Sequence, residues 1–182
     1  MLPIDLRYGV WASSGEIDIY EMKNEFIRNN MALHYGGPWP KYSERFNTYE
    51  KRPGGGSFSD SFTVVTMDWS PTEINMYMDG ELAFSDKSKA VDRNGWYSKS
   101  LNGGPNTPFD MPFYIVLNLA IGGKYPGDSD STTLSPNSMV RLVLNHAPAP
   151  CPAPCPALRH AHAHLPCSSF FQEIDYIRVF AK

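Results

Sequence analysis

The sequence has no long apolar run, no excess of positive charge and no helical spacing of apolar residues. Its 182 residues contain no apolar stretch of 18 residues, so we predict no transmembrane helix. A formal net charge of -3 offers no basic surface, and we therefore expect neither nucleic acid nor an anionic membrane as a partner. Residues 1–5 lack the basic start and apolar stretch of a signal peptide.

Cysteine is absent from the chain except in one segment of unusual composition, at about residues 146–168. This segment holds all three cysteines and four of the five histidines among many alanines and prolines. Cys-x3-Cys followed by His-x-His-x-His matches no familiar zinc-finger spacing, so we predict no metal site here. We expect either a disordered insertion, because such a composition buries little apolar surface, or a segment that is not natural coding sequence. Residues 1–182 otherwise predict a single domain.

Aromatic residues and turn-formers are abundant instead, with 10 Tyr, 10 Phe, 4 Trp, 14 Gly and 16 Pro. Period-2 alternation predicts short strands. The predicted strands are 16–21, 31–35, 62–69, 74–78, 81–84, an apolar central strand at 113–121, and 173–180. The turns are predicted at 70–73 and at Asp79-Gly80, and residues 86–111 are predicted to form a long surface loop. The sequence therefore predicts an all-β fold, an antiparallel β-sandwich.

Three carboxylates in the first strand are the residues best suited to chemistry. Glu16 and Asp18 are two residues apart and share a face of a strand, whereas Glu21 would point to the opposite face. A one-residue β-bulge near Ile19 and Tyr20 would bring Glu21 onto the same face. Since carboxylates in one row repel each other, at least one should keep its proton near neutral pH. Glycosidic bonds are cleaved by such carboxylate pairs.

The motif Gly15-Glu16-Ile17-Asp18-Ile19-Tyr20-Glu21 resembles the signature of glycoside hydrolase family 16, in the bulged form typical of laminarinases. Four further segments resemble family motifs, in family order: 33–40, 68–80, 112–123 and 175–180. The resemblance implies a concanavalin A-like jelly roll with a sugar-binding cleft on its concave face. It also implies endo-acting hydrolysis of β-1,3-glucan with retention, by a secreted and monomeric glycosidase.

The family pattern implies roles for three acids. Glu16 would be the nucleophile, Glu21 the acid/base, and Asp18 the carboxylate that orients and modulates the pair. No cofactor is implied for catalysis. Asp175 resembles a structural calcium ligand of many family members, but we predict no bound ion because the strands that would supply its partners do not precede this motif here.

Four further residues are candidates for binding the polysaccharide. Trp11 matches a family tryptophan that stacks on a sugar, although it could also be a core residue at the strand entry. His34 faces the acids from the next strand and could hydrogen-bond to Asp18 or to sugar. Trp39 is either an aromatic platform or a packing residue, and Asn118 either reaches the cleft or is buried. Trp69 is assigned to the core and Trp96 to the cleft rim.

Two alternatives to the enzyme remain open. The same fold serves in non-catalytic β-glucan-binding modules, although these do not need the acids. The chain could also be an inactive truncated fragment, since it begins at the active-site strand and is incomplete at the N-terminus relative to the family. Thr63 and Val65 stand where the family usually has His and Tyr. Mixed-linkage glucan, agarose and carrageenan are other family substrates.

Overall fold

A computed structural model of the chain describes residues 1–23, 27–50, 56–58, 60–118, 123–125, 127, 140–144, 170–174 and 177. The chain divides into two compact units, Met1–Val116 and Leu117–Lys182. The strands are β1 (Leu2–Pro3), β2 (Glu16–Glu21), β3 (Arg28–Tyr35), β4 (Ser43–Glu50), β5 (Val65–Trp69), β6 (Glu73–Met78), β7 (Glu81–Lys87), β8 (Phe113–Tyr114), β9 (Val140–Leu144) and β10 (Phe170–Ile174). Among the described residues, no helix has the length and hydrophobicity needed to span a membrane.

The first sheet contains β2, β3 and β4, all antiparallel. On the core face of strand β3, Met31, Leu33 and Tyr35 are buried. On the other face Asn30 and His34 are only partly buried, and the small Ala32 between them is buried. Strand β4 was not predicted from the sequence. Its residues, Ser-Glu-Arg-Phe-Asn-Thr-Tyr-Glu, are polar on both faces and largely exposed, so no apolar alternation marks it. It is a strand because β3 supplies a hydrogen-bonding edge along its whole length.

The second sheet, β5-β6-β7, confirms both predicted hairpins. At the first turn the Ser70 hydroxyl accepts a hydrogen bond from the Glu73 backbone N–H, at 3.0 Å. At the second turn Asp79 and Gly80 have φ values of 49° and 84°, as two-residue hairpins of this hand require. The Asp79 carboxylate also accepts a hydrogen bond from the backbone N–H of Val64, at 2.8 Å.

One hydrophobic core joins the two sheets and confirms the predicted β-sandwich. The first sheet contributes Ile17, Met31, Leu33 and Tyr35, and the second contributes Ile74, Met76, Met78, Ala83 and Phe84. The alternate residues of β6 are buried, as expected for a strand with one face toward the core. The inner faces of both sheets are thereby removed from water, which leaves the outer face of β2 and β3 free to carry polar side chains.

The predicted surface loop at 86–111 is in fact a major source of the core. Trp96 is fully buried, and its indole N–H donates to the Asn106 carbonyl at 3.0 Å. The ring of Trp96 packs edge-on against Phe109, with centroids 5.3 Å apart. The assignment of Trp96 to the cleft rim is therefore wrong. The polar and glycine-rich composition of residues 86–111 predicted that this loop is exposed to solvent. Apolar residues at irregular spacing in a loop can nevertheless pack into the core between two sheets. Trp69, assigned to the core, packs against Phe113 and donates to the Phe109 carbonyl.

The predicted central strand at 113–121 is much shorter in the structure. Strand β8 ends at Tyr114 and pairs only with the two residues of β1. Ile115, Val116 and Leu117 are exposed, because no described strand pairs with them, and 119–122 lie outside the described residues.

In the second unit, β9 and β10 pair in parallel, so this pair departs from the antiparallel pattern predicted for the whole chain. Strand β10 overlaps the predicted strand 173–180 at residues 173 and 174; of the rest of that prediction, 175–176 and 178–180 lie outside the described residues. The segment at about 146–168 and Asp175 lie outside the described residues, so the predictions about them stay predictions.

Replacing Trp96 by alanine should destabilise the protein by about 3–5 kcal/mol, because a fully buried indole is lost together with its hydrogen bond. Urea unfolding followed by circular dichroism would measure this change. Leu101→Ala is the matched control, since Leu101 lies in the same loop and is fully exposed. It should change the unfolding free energy by less than about 0.5 kcal/mol. Equal effects of the two substitutions would contradict the burial assigned to Trp96.

Candidate active site

Strand β2 has the bulge that the sequence predicted. Opposite β3, Asp18 pairs with Ala32 and Glu21 pairs with Asn30, so three steps along β2 match two steps along β3. The register shift lies between Asp18 and Glu21. Since residues that pair across an antiparallel sheet point to the same face, Glu16, Asp18 and Glu21 all lie on the face opposite Ile17, which is buried in the core.

Glu16, Asp18 and His34 form a compact cluster on this face. His34 pairs with Glu16 across the strands, and its Nε2 lies 3.0 Å from an oxygen of Asp18. Each of the three residues offers one ligand atom, and these atoms lie within 4.8 Å of one another. Within the described ranges, this is the group that could hold a cation. The predictions from the sequence of no bound ion and no cofactor stay predictions.

Strand β4 and the residue just before it add Glu44 and Tyr42, which were not predicted from the sequence. Glu44 pairs with His34 in the register, and its carboxylate oxygen lies 3.4 Å from His34 Nδ1, without the geometry of a hydrogen bond. The Tyr42 ring packs beside His34, with centroids 5.6 Å apart. The two-residue spacing of Tyr42 and Glu44 was the only available signal, and it has a meaning only once the strand that begins at Ser43 is known.

Trp11 contacts the cluster from the segment that precedes β2. Its indole N–H donates to a carboxylate oxygen of Glu16, and its ring packs against Tyr42 at 4.9 Å and His34 at 5.6 Å between centroids. About 36% of the Trp11 surface stays exposed. The core alternative for Trp11 is therefore wrong, because the residue lies on the acidic face with part of its ring open to solvent.

Trp39 and Asn118 have different positions. The Trp39 backbone N–H donates to the Trp11 carbonyl, at 3.0 Å, and its side chain is 64% exposed, which is compatible with an aromatic platform near the site. Asn118 is exposed, so the buried alternative is wrong. It belongs to the second unit, and its assignment to the cleft stays a prediction.

The pKa values of Glu16 and His34 in the cluster are both raised above their ordinary values. Burial and the negative charge of Asp18 raise the pKa of Glu16, while the Trp11 N–H and the positive charge of His34 oppose that rise. Burial lowers the pKa of His34, but the hydrogen bond and charge of Asp18, with the charges of Glu16 and Glu44, outweigh burial and leave the pKa raised. The acids around His34 therefore favour its protonated form.

A β-sandwich whose outer sheet face carries a bulged row of carboxylates beside aromatic rings is the arrangement of a glycoside hydrolase. The chain is 37% identical over 128 residues to glucan endo-1,3-beta-glucosidase A1 of Niallia circulans. The matched region covers 70% of this chain and 18% of that protein. It is 32% identical to a beta-1,3-glucan-binding protein of Penaeus monodon, over 68% of this chain and 37% of that protein.

The chain is also similar to a solved structure. The endo-beta-1,3-glucanase of Pyrococcus furiosus matches with a TM-score of 0.58 and 33% identity, over 74% of this chain and 48% of that one. No protein-family model matches the chain, and the chain spans less than half the length of these three relatives. The chain is nevertheless a laminarinase-like protein of glycoside hydrolase family 16, as its motifs predicted.

Asp18→Asn should lower the pKa of His34, because it removes the charge and the hydrogen bond that favour the imidazolium. NMR titration of the imidazole signals would measure this, with His34→Gln used to assign the resonance. A raised pKa means that the folded state binds this proton more tightly than the unfolded state does. The stabilisation from the pair is therefore complete below the unfolded pKa of about 6.5, and is lost as pH rises through the folded pKa.

The control for this titration is Asp92→Asn, because Asp92 lies in an exposed turn where its carboxylate accepts a hydrogen bond from the Asn94 N–H. That variant should leave the His34 titration unchanged. An unshifted His34 pKa in Asp18→Asn would contradict the pairing.

Proposed function

We propose that this chain carries the catalytic face of an endo-acting β-1,3-glucanase that cleaves its polysaccharide with retention of configuration. The observation that carries the proposal is the bulged row of acids, with Glu16, Asp18 and Glu21 on one open sheet face. A protein that only binds glucan does not need three carboxylates there. We further propose β-1,3-glucan as the substrate, because the Niallia and Pyrococcus relatives are named for that linkage.

In the proposed mechanism, the Glu16 carboxylate attacks the anomeric carbon and the bond from that carbon to the leaving oxygen breaks. Glu21 gives its proton to the leaving oxygen. Glu21 then takes a proton from water, whose oxygen attacks the anomeric carbon, and the bond to Glu16 breaks. The product sugar keeps its configuration and both acids return to their first state. Retaining enzymes of this kind hold the two carboxyl groups about 5–5.5 Å apart.

The neighbours of Glu16 suit the role of nucleophile. Burial and the charge of Asp18 raise the pKa of Glu16, and the Trp11 N–H and the positive charge of His34 oppose that rise. These two groups therefore favour the ionised carboxylate, which is the form that attacks. Asp18 holds His34 through the 3.0 Å contact, so its proposed role is to keep this positive charge close to Glu16. Trp11 would also stack on a sugar with the exposed part of its ring. Trp39 and Asn118 are proposed as further contacts to the polysaccharide.

Secretion and a monomeric state are proposed with this activity, since a polysaccharide substrate is met outside the cell. The second candidate function is a β-glucan-binding module, which the 32% identical Penaeus relative favours. An inactive fragment is the third. The three are separated by measuring folding, binding and hydrolysis on the same preparation.

Glu16→Gln should abolish the release of reducing sugar from laminarin, by at least about 10³-fold, because an amide is a poor nucleophile. Glu73→Gln is the matched control, since Glu73 lies on β6 in the other sheet and its carboxylate makes a surface ion pair with Lys87 at 3.8 Å. Its activity should equal that of the wild type.

The wild type itself discriminates among the three candidates. Laminarin binding by a cooperatively folded protein without any hydrolysis would favour the binding module, whereas absence of a cooperative unfolding transition would favour the inactive fragment. Parallel assays with mixed-linkage glucan, agarose and carrageenan would test the proposed linkage.

Trp11→Phe should move the acidic limb of the pH profile of kcat/KM to higher pH. The substitution keeps an aromatic ring but removes the N–H that stabilises ionised Glu16, so the pKa of Glu16 rises and the nucleophile ionises later. Trp69→Phe is the control, because it also removes an indole N–H, one that bonds the Phe109 carbonyl instead. A limb displaced equally in both variants would show that the effect does not come from Glu16.

A further inference from the structure

Asn29 lies directly behind the bulge, on the core face of β3. It is fully buried, which is unusual for an amide side chain and costs free energy unless its polar atoms are bonded. Its Oδ1 accepts a hydrogen bond from the Glu21 backbone N–H at 2.8 Å. Its Nδ2 lies 3.5 Å from the Ile19 carbonyl and 3.7 Å from the Met78 sulfur.

These contacts supply hydrogen-bond partners to backbone groups that a bulge leaves without partners. An extra residue disrupts the ladder locally, and its backbone groups lose their partners on the neighbouring strand. A buried donor or acceptor left in that state costs about 1–3 kcal/mol. An amide provides a donor and an acceptor on one rigid group, so Asn29 can bond the backbone at both ends of the Ile19–Glu21 stretch.

We propose that Asn29 is a positioning residue for Glu21. The side chain of Asn29 lies on the opposite sheet face from the carboxylates, so it acts through the Glu21 backbone and has no direct contact with the polysaccharide. Because the hydrogen bond from the Glu21 N–H to Asn29 Oδ1 fixes the Glu21 backbone, it also fixes the direction in which the Glu21 side chain points. Met78 belongs to β6, so Asn29 also connects the bulge to the second sheet. The effect on catalysis rests on the proposed function, whereas the effect on the bulge does not.

The test is Asn29→Leu, which keeps a similar shape but removes both hydrogen-bonding atoms. The amide of Glu21 should exchange with deuterium at least about tenfold faster, measured by NMR on the folded protein. On laminarin, kcat should fall by about 100-fold with little change in KM, because a small displacement of a catalytic group is costly while sugar contacts elsewhere persist. The basic limb of the pH profile, which reports the proposed acid, should also move.

Asn29→Asp is the second variant, and it keeps an oxygen that can accept from the Glu21 N–H. It should retain protection of that amide and more activity than Asn29→Leu. Asn47→Leu is the matched control, since Asn47 is in the same sheet and donates to the Ala83 carbonyl at 2.6 Å, away from the bulge. It should leave the Glu21 amide and the pH profile unchanged.

The outcomes separate the two proposals. If the Glu21 amide of folded Asn29→Leu exchanges with deuterium at the same rate as in the wild type, the positioning role is overturned, whatever the activity of the variant. Faster exchange with an inactive wild type would support the positioning of Glu21 and count against the glucanase. If Asn29→Leu does not fold, unprotected exchange of the Glu21 amide in folded Asn29→Asp would overturn the role of the amide oxygen.

Discussion

The bulge in β2 is the constraint on which the rest of the site depends. A strand alternates its side chains with period two, so acids at positions 16, 18 and 21 cannot share a face unless one extra residue is inserted. The extra residue lies between Asp18 and Glu21. On the core side of the sheet, the Asn29 side chain accepts a hydrogen bond from the Glu21 backbone N–H at the bulge. The two faces of one sheet are therefore coupled: packing behind the strand sets the direction of the carboxylate in front of it.

The electrostatics of the site follow from placing several charges on a partly buried face. The negative charge of Asp18 raises the pKa of Glu16, and the positive charge of His34, which lies between Asp18 and Glu44, opposes that rise. The Trp11 N–H favours the ionised form of Glu16 in the same way. Because both neighbours are also rings packed against Tyr42, the groups that favour ionised Glu16 also provide an aromatic wall. Charge stabilisation and sugar binding would thus rely on the same side chains.

The fold explains why such a site tolerates different functions among related proteins. The core between the two sheets uses only inward-facing residues, so the outward face of β2, β3 and β4 can change without loss of the sandwich. Relatives of this chain include both a glucanase and a glucan-binding protein. In this chain the outward face of β2 carries the three acids Glu16, Asp18 and Glu21.

Local pattern was sufficient for part of this protein. Alternation predicted β2, the two hairpins and the face of His34, and the spacing of the three acids showed that they could share a face only with a bulge. These features depend on neighbours within one strand or one turn. Strand β4, the buried Trp96, the short β8 and the roles of Tyr42, Glu44 and Asn29 could not be predicted in this way. Their positions are decided by cross-strand register and by packing between sheets, which join residues distant in the chain, and a polar strand or an aromatic residue in a loop carries no local sign of the partner that it will meet.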